Sequence, residues 1–381
     1  MITGTHDYPT MDEVIYGRPA AEAVADLAHA FGAQRLFVVT TRSLDTANGA
    51  VAALRAALGS RCVGGFSAIR AHSPREDVVA CADAARAASA DLLVALGGGS
   101  VIDAVKVVQL CLWGDVRSTE GVGQLLGRGA RDLAPGTRMI ALPTTLSAAE
   151  FTPFAGVTDT HRRAKEGYGH PMLAPRAVVL DPRLTLETPP ALWFSTGLKA
   201  VDHAVEQLCN PERAPYADAL AEGGLKRLAA ALPATKENPD DLDARLDCQF
   251  GMWLAISGAS AGRGLGASHA IGHTLGGGFG VPHGITSCVM LPAVLAWNAS
   301  VNADRQALVA AQMGRPGASA AEAVRDLAQS LGLPTRLSEV GIGPAQFEAI
   351  GEATMHDRGV RSNPRRISGP ADIVEILKLA A

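Results

Sequence analysis

The chain has 381 residues, 48% of them apolar and 19% charged, and a formal net charge of −4, which excludes a disordered chain and suggests two domains with large cores. The mild negative balance, with no long basic run and no aromatic–basic interleaving, argues against a nucleic-acid partner. No apolar run reads as a bilayer span and Met1 to Asp7 does not read as a signal peptide, so a cytoplasmic protein with no membrane partner is expected.

Val14 to Gly17 reads as a short strand, and Pro19 to Phe31 has helical spacing that stops at Gly32. Arg35 to Thr41 is a β-rich run of the buried parallel kind. Leu44 to Leu58 reads as a helix ended by Gly59. Ser73-Pro74 then offers an N-cap and a first-position proline for a helix reaching about Ala88. Asp91 to Leu96 is the next strand. This alternation argues for a parallel α/β sheet.

That strand runs into Gly97-Gly98-Gly99-Ser100, and Val101 to Lys106 continues as a helix. Three glycines remove the Cβ atoms that would hold a pyrophosphate off the backbone. The helix start adds free N–H groups and the positive end of a dipole. The run is not G-x-G-x-x-G, so the usual dinucleotide fingerprint does not apply, and an ordinary tight turn is the alternative. Residues 114–136 read as a loop with a partial helix. Arg138 to Leu142 is a strand that leads into Pro143 to Thr152, a hydroxyl-rich turn. Such a turn suits a ribose or a nicotinamide carboxamide, and equally a helix cap. Val157 to Asp159 and Ala177 to Pro182 read as two further strands, with Lys165 between them.

From Glu187 the β signal fades. Pro189-Pro190 opens a helix through Leu208, and helical stretches follow near 216–231, 240–258, 262–276, 284–299, 303–312, 319–331, 344–354 and 370–379. The expected division is therefore an α/β domain over 1–186 and a helical domain over 187–381. Six scattered cysteines, none in a C-x-x-C, fit reduced core thiols.

The stretch Ser268 to Gly284 holds three of the ten histidines. His269 and His273, four apart, share a helix face, and His283 follows in a Gly/Pro loop that can fold back. This pattern is read as an active-site cluster, with histidines that serve packing as the alternative. On the first helix of the same domain, Lys199 lies four residues before His203 on one face. Asp202 points away by about 100°.

These runs in order resemble the group III, or iron-containing, alcohol dehydrogenase superfamily over nearly the whole chain. The marks are Gly97-Gly98-Gly99-Ser100-x-x-Asp103-x-x-Lys106, Pro143-Thr144-Thr145, Leu180-Asp181-Pro182, His203-Ala204-x-Glu206, and His269-x-x-x-His273 through Pro282-His283-Gly284. Within the superfamily, Leu146 to Thr152, Ala155 to Asp159 and His273 to Gly277 with Phe279 look most like the maleylacetate reductases. The resemblance implies a Rossmann-like N-terminal domain, an all-α C-terminal domain of the dehydroquinate synthase-like kind, a catalytic cleft between them and a homodimer. It also implies a nicotinamide cofactor. Gly97, Gly98 and Gly99 would hold its pyrophosphate beside Ser100 and Asp103. Thr144, Thr145, Ser147, Thr152 and Lys165 would line its ribose and nicotinamide.

Departures from the family pattern sharpen the expectation. Metal-dependent relatives hold a divalent ion with an Asp and three His. The three His positions match His203, His269 and His283, but the Asp position is Lys199 here. An ammonium in place of a carboxylate opposes a cation, so no catalytic metal is expected, in line with the maleylacetate reductase subgroup. Lys199, His203, His269 and His283 then form a set suited to a small dicarboxylate such as maleylacetate, with His273 as the proton donor. Thr41, followed by Arg42, stands where NAD-strict relatives carry an Asp, so NADH with appreciable NADPH use is expected. Ser268 replaces the first of the paired histidines common in that subgroup. Arginines in the tail from Met355 to Arg365 are candidates for substrate carboxylate contacts, though solvated arginines are the commoner case. The rival readings are a metal-dependent alcohol or aldehyde dehydrogenase of the same fold and a dehydroquinate-synthase-like lyase.

Overall fold

The computed structural model describes the chain apart from Met1, Ile2, Gly4, Arg163 and residues 261–263, and apart from the side chains of Ser260 and His283. The chain forms two compact units, Tyr8–Thr188 and Pro189–Ala381, the latter joined by Met1–Asp7. The division thus falls two residues later than the expected 186/187. Thr188 stays with the sheet because its hydroxyl donates to the Thr144 carbonyl at 2.7 Å. The opening residues group with the helices, and the His6 ring meets Tyr216 edge-on at 4.8 Å.

The first unit contains strands β1 (Glu13–Tyr16), β2 (Leu36–Val39), β3 (Cys62–Phe66), β4 (Leu92–Gly97) and β5 (Arg138–Pro143), a hairpin of β6 (Phe154–Asp159) and β7 (Ala164–Gly169), and β8 (Ala177–Leu180). Its helices are α1 (Ala20–Ala30), α2 (Ala50–Leu58), α3 (Arg75–Ala87), α4 (Gly99–Trp113) and the short α5 (Thr119–Gln124). Six strands make one parallel sheet in the order β1-β8-β5-β4-β2-β3. Leu36 and Val38, Leu92, Val94 and Leu96, Ile140 and Leu142, and Ala177 and Val179 alternate onto one face, where α1 and α2 bury them. Helices α3 and α4 cover the other face. Both faces are therefore dry, and this is why the strands read as continuous apolar runs. The chain winds outward from β2 to β3, then back across to β4 and on to β5 and β8. The strand order reverses between β2 and β4, and a ligand of an open α/β sheet binds beside the carboxyl ends at such a point.

Three local expectations change. The helix expected from Leu44 starts only at Ala50, because the Asp45 carboxylate accepts from Arg55 at 2.6 Å and from Ser67, folding 44–49 into turns. Ser73 is not a cap. It has a left-handed φ of 52°, and its hydroxyl donates to the Ser100 carbonyl at 2.7 Å, leaving Pro74 at the start of α3. The stretch around Lys165 is not a connection but β7, paired antiparallel with β6 from Phe154↔Gly169 to Asp159↔Ala164. Arg75 of α3 anchors this hairpin through Asp159 at 3.0 Å and through Glu166.

The second unit is helical: α6 (Pro190–Cys209), α7 (Pro215–Glu237), α8 (Leu242–Ser260), α9 (Ala267–Phe279), α10 (His283–Gln312), α11 (Ala320–Ser330), α12 (Phe347–Thr354) and α13 (Pro370–Leu379). The stretches expected at 284–299 and 303–312 are one run broken by non-helical angles at Asn302. Gly284–Gln312 is long and apolar enough to cross a membrane, contrary to the sequence expectation, yet 67% of its most apolar window is buried inside the protein. Trp297, Val294 and Met290 of this helix pack with Ile271, Leu275, Ile350 and Ile376, so it serves as a core helix.

Candidate functional site

In the first unit the glycine turn and the hydroxyl-rich turn are built against each other. A Cβ on Gly98 would lie 2.9 Å from the Thr145 methyl, and one on Gly99 would lie 2.9 Å from the Ser147 hydroxyl. Gly97, at φ 156°, could take no side chain without meeting Val101 at 2.6 Å. The glycines thus serve close packing of the second turn onto the first, besides any ligand. The Thr144 N–H donates to the Gly97 carbonyl at 3.1 Å and closes the junction.

The start of α4 has Gly98 at its cap and no side chain satisfying its first turn. The Val101 N–H donates to the Gly98 carbonyl at 3.0 Å, and the N–H groups of Gly99 and Ser100 are left for an anion. Beside it the Thr145 hydroxyl oxygen is buried with no hydrogen-bond partner among the described residues. An uncapped helix start and a buried hydroxyl with unused capacity fit the pyrophosphate and nicotinamide end of a dinucleotide. The rest of the expected set divides. Ser100 accepts from the His72 N–H at 3.1 Å, and Asp103 accepts from the Gly156 N–H at 3.1 Å, so both tie neighbouring segments to α4. Thr152 departs from its expected place at the cofactor: it is buried, and its hydroxyl lies 3.0 Å from the ammonium of Lys106 and 3.1 Å from the Ala149 carbonyl. Lys165 is exposed on β7 with its stem across Gly156. Thr41 follows β2, bonded to Ser43 at 3.0 Å. It lines a hollow with Arg42, Ala68, Arg70 and Asp77.

In the second unit α6 and α9 carry the chemistry. The His203 and His269 rings stack with centroids 4.9 Å apart, and His273 meets His269 edge-on at 6.3 Å. Burial, the neighbouring His269 and the charge of half-buried Lys199 hold His203 well below the usual histidine range. The Nδ1 of His203 has no hydrogen-bond partner among the described residues. His269 is pushed down to about 4 by burial; Asp202 works against this and Lys199 adds to it. Both rings are therefore neutral near pH 7. The side chain of His283 lies outside the described residues; its backbone begins α10.

Two carboxylates that sequence reasoning passed over hold this face in place. Glu206 accepts from the N–H groups of Gly266 and Ser268 and lies against His269 Nδ1, each at 2.8 Å. Asp202 turns inward rather than away. It takes the Ser268 hydroxyl at 2.7 Å and stands 3.4 Å from His269 Nδ1. Burial raises both acids to about 7. The spacing Asp202-His203-x-x-Glu206 places Glu206 one turn from Asp202, a signal available in the sequence.

Asp202, Glu206 and His269 have ligand atoms within 4.8 Å of one another and form the one candidate metal cluster among the described residues. Glu206 there already accepts from the Gly266 and Ser268 N–H groups, so an ion would compete with those hydrogen bonds. At the expected position, His203 and His269 are good neutral donors, but the charge of Lys199 bears on both. This donor set fits a divalent cation poorly.

His273 is half-exposed and pairs through Nδ1 with Asp357 at 2.8 Å. Burial works to raise Asp357, but the hydrogen bond and charge of His273 and the Gly359 N–H hold it below the usual carboxylate range. The tail thus contributes a carboxylate. Of its arginines, Arg365 lies on the Trp297 ring at 3.9 Å and donates to the Trp297 carbonyl, a structural post.

Comparison with known proteins agrees with this architecture. The description "Iron-containing alcohol dehydrogenase" matches residues 11–182, and "Fe-containing alcohol dehydrogenase family, C-terminal" matches residues 193–381. Dehydrogenase ALT3 of Alternaria alternata is 36% identical, covering 88% of this chain and 96% of its own length. Maleylacetate reductase of Burkholderia cepacia is 32% identical over 94% of this chain and 92% of its own. The crystal structure of maleylacetate reductase from Agrobacterium tumefaciens superposes with a TM-score of 0.85 at 29% identity, covering 100% of this chain and 98% of that one. With both units matched along their lengths, the chain belongs to the iron-containing alcohol dehydrogenase family and is an NAD(P)-dependent oxidoreductase.

Proposed function

We propose that the chain reduces maleylacetate to 3-oxoadipate with NADH, and with NADPH as well, without a catalytic metal. The observation that carries this reading is Lys199. Its ammonium stands one helical turn before His203 and depresses the proton affinity of both buried imidazoles. A cation at that place opposes a metal and favours an anionic substrate. Similarity to several maleylacetate reductases supports the dicarboxylate.

When bound, the reduced nicotinamide supplies a hydride to the alkene carbon remote from the keto group. The π electrons then move toward the keto carbon, and the negative charge gathers on its oxygen as an enolate. Lys199 stabilises that charge or grips a carboxylate. His273, held by Asp357, delivers the proton to the remaining alkene carbon. Gly97 to Gly99, the start of α4 and Thr145 would hold the cofactor. For NADPH, Thr41 carries no charge to repel a 2′-phosphate, and Asp77 in the hollow is already paired with Arg70 at 2.7 Å.

The test is NADH oxidation with maleylacetate in wild type and Lys199→Met. The variant is expected to raise KM for the dicarboxylate by about 10- to 100-fold, the scale of one charge-assisted contact. An unchanged KM would remove Lys199 from substrate binding. A second reading, a metal-dependent dehydrogenase of the same family, draws on the stacked neutral rings of His203 and His269, which a divalent ion accepts.

A further inference from the structure

Lys106 is the last residue of the glycine-turn motif. It lies on α4, two turns past the glycines, and is wholly buried. Its ammonium donates to the carbonyls of Thr152 at 2.7 Å, Phe154 at 2.8 Å and Ala149, and to the Thr152 hydroxyl at 3.0 Å. Four oxygens around a buried cation form the kind of shell that a monovalent metal ion otherwise takes.

The shell belongs to a single segment, 149–154, directly after Thr144, Thr145 and Ser147. That segment is strained at its start. Ala148, buried and not glycine, has φ 64° and ψ 10°. Such a left-handed conformation is unfavourable for a residue with a Cβ and persists only where its surroundings hold it. The Ala149 carbonyl bound by Lys106 begins one residue later. Asp103, three residues before Lys106 on the same helix, pins Gly156 at the far end of the segment.

We propose that Lys106 is a positioning residue for the nicotinamide cofactor, an internal cation that folds 148–154 into its strained turn and so sets Thr145 and Ser147 against the glycines. This rests on the cofactor reading of that turn. The charged groups facing Lys106 are Asp103 on α4 and buried Glu150 on the turn; Asp159 on β6 is engaged by Arg75. Burial lowers Lys106 to about 8, with Asp103 and Glu150 opposing the shift. The clamp is therefore charged below pH 8 and loses its proton as the pH rises through 8.

The test uses NADH binding by fluorescence, without any dicarboxylate, on wild type, Lys106→Met and Lys106→Ala. Wild-type binding checks the cofactor reading by itself. Both variants are expected to bind NADH at least about tenfold more weakly, with kcat at saturating NADH falling far less. Ammonium or potassium salts should restore binding to Lys106→Ala by refilling the oxygen shell, whereas tetramethylammonium should not. Amide exchange across 149–154 should be faster in both variants without cofactor. Should the variants fail to fold, the wild type still decides: NADH affinity must fall between pH 7.5 and 9.5. Folded variants with NADH affinity within twofold of wild type, or a flat wild-type profile to pH 9.5, would overturn the proposal.

Discussion

His273 and Asp357 show how a residue acquires a role through a partner far away in the chain. The imidazole is half-exposed on α9, and its orientation comes from a carboxylate 84 positions later that is itself held by the Gly359 N–H. If His273 is the proton donor, His273→Gln should lower kcat about 100-fold while NADH affinity stays within twofold. Asp357→Asn, which keeps the shape and loses the charge, should lower kcat about tenfold. Full turnover in His273→Gln, measured by NADH oxidation with maleylacetate, would remove it from the chemistry. The histidine face itself was legible in the sequence, because His269 and His273 repeat at the helical spacing and Lys199 precedes His203 by one turn. Asp357 was not, because its meaning is a contact that sequence spacing does not encode. Thr152 misled for the opposite reason: a hydroxyl in a hydroxyl-rich turn looks available to a ribose, and only the depth of Lys106 beneath it shows otherwise.

Elements were legible where punctuation and period agree. Pro189-Pro190 opens α6, Gly32 and Gly59 follow α1 and α2, and Gly280 ends α9 with a left-handed φ of 72°. The parallel strands declared themselves as apolar runs because both faces of the sheet are covered. The β6–β7 hairpin did not. Ala164-Lys165-Glu166-Gly167-Tyr168-Gly169 has two glycines and little β propensity, and it is extended because Arg75 of α3 holds Glu166 and because it pairs with β6, which Asp103 of α4 pins at Gly156. The glycine turn stands out in the sequence, and its tightest constraint is the turn packed onto it. Gly98→Ala should therefore destabilise the protein by about 1–3 kcal/mol even without cofactor, because the new methyl meets Thr145. Thermal unfolding of the cofactor-free protein checks this. A variant as stable as wild type that binds NADH weakly would mean the glycine serves the ligand alone.

At the scale of the whole molecule, the two units divide the chemistry. The sheet unit offers an uncapped helix start, an unused buried hydroxyl and an internal cation that shapes the turn between them. The helical unit offers neutral stacked imidazoles, a lysine beside them and a histidine–carboxylate pair. The family's name carries iron, while this chain places an ammonium where the family pattern has a carboxylate ligand. Metal-free reduction of an unsaturated keto dicarboxylate is the reading that follows from that exchange. Its most direct test is NADH oxidation with maleylacetate by protein exhaustively treated with a chelator. The account predicts rapid turnover that neither falls on chelation nor rises when iron or zinc is returned. Activity lost with the chelator and restored by either metal would contradict it.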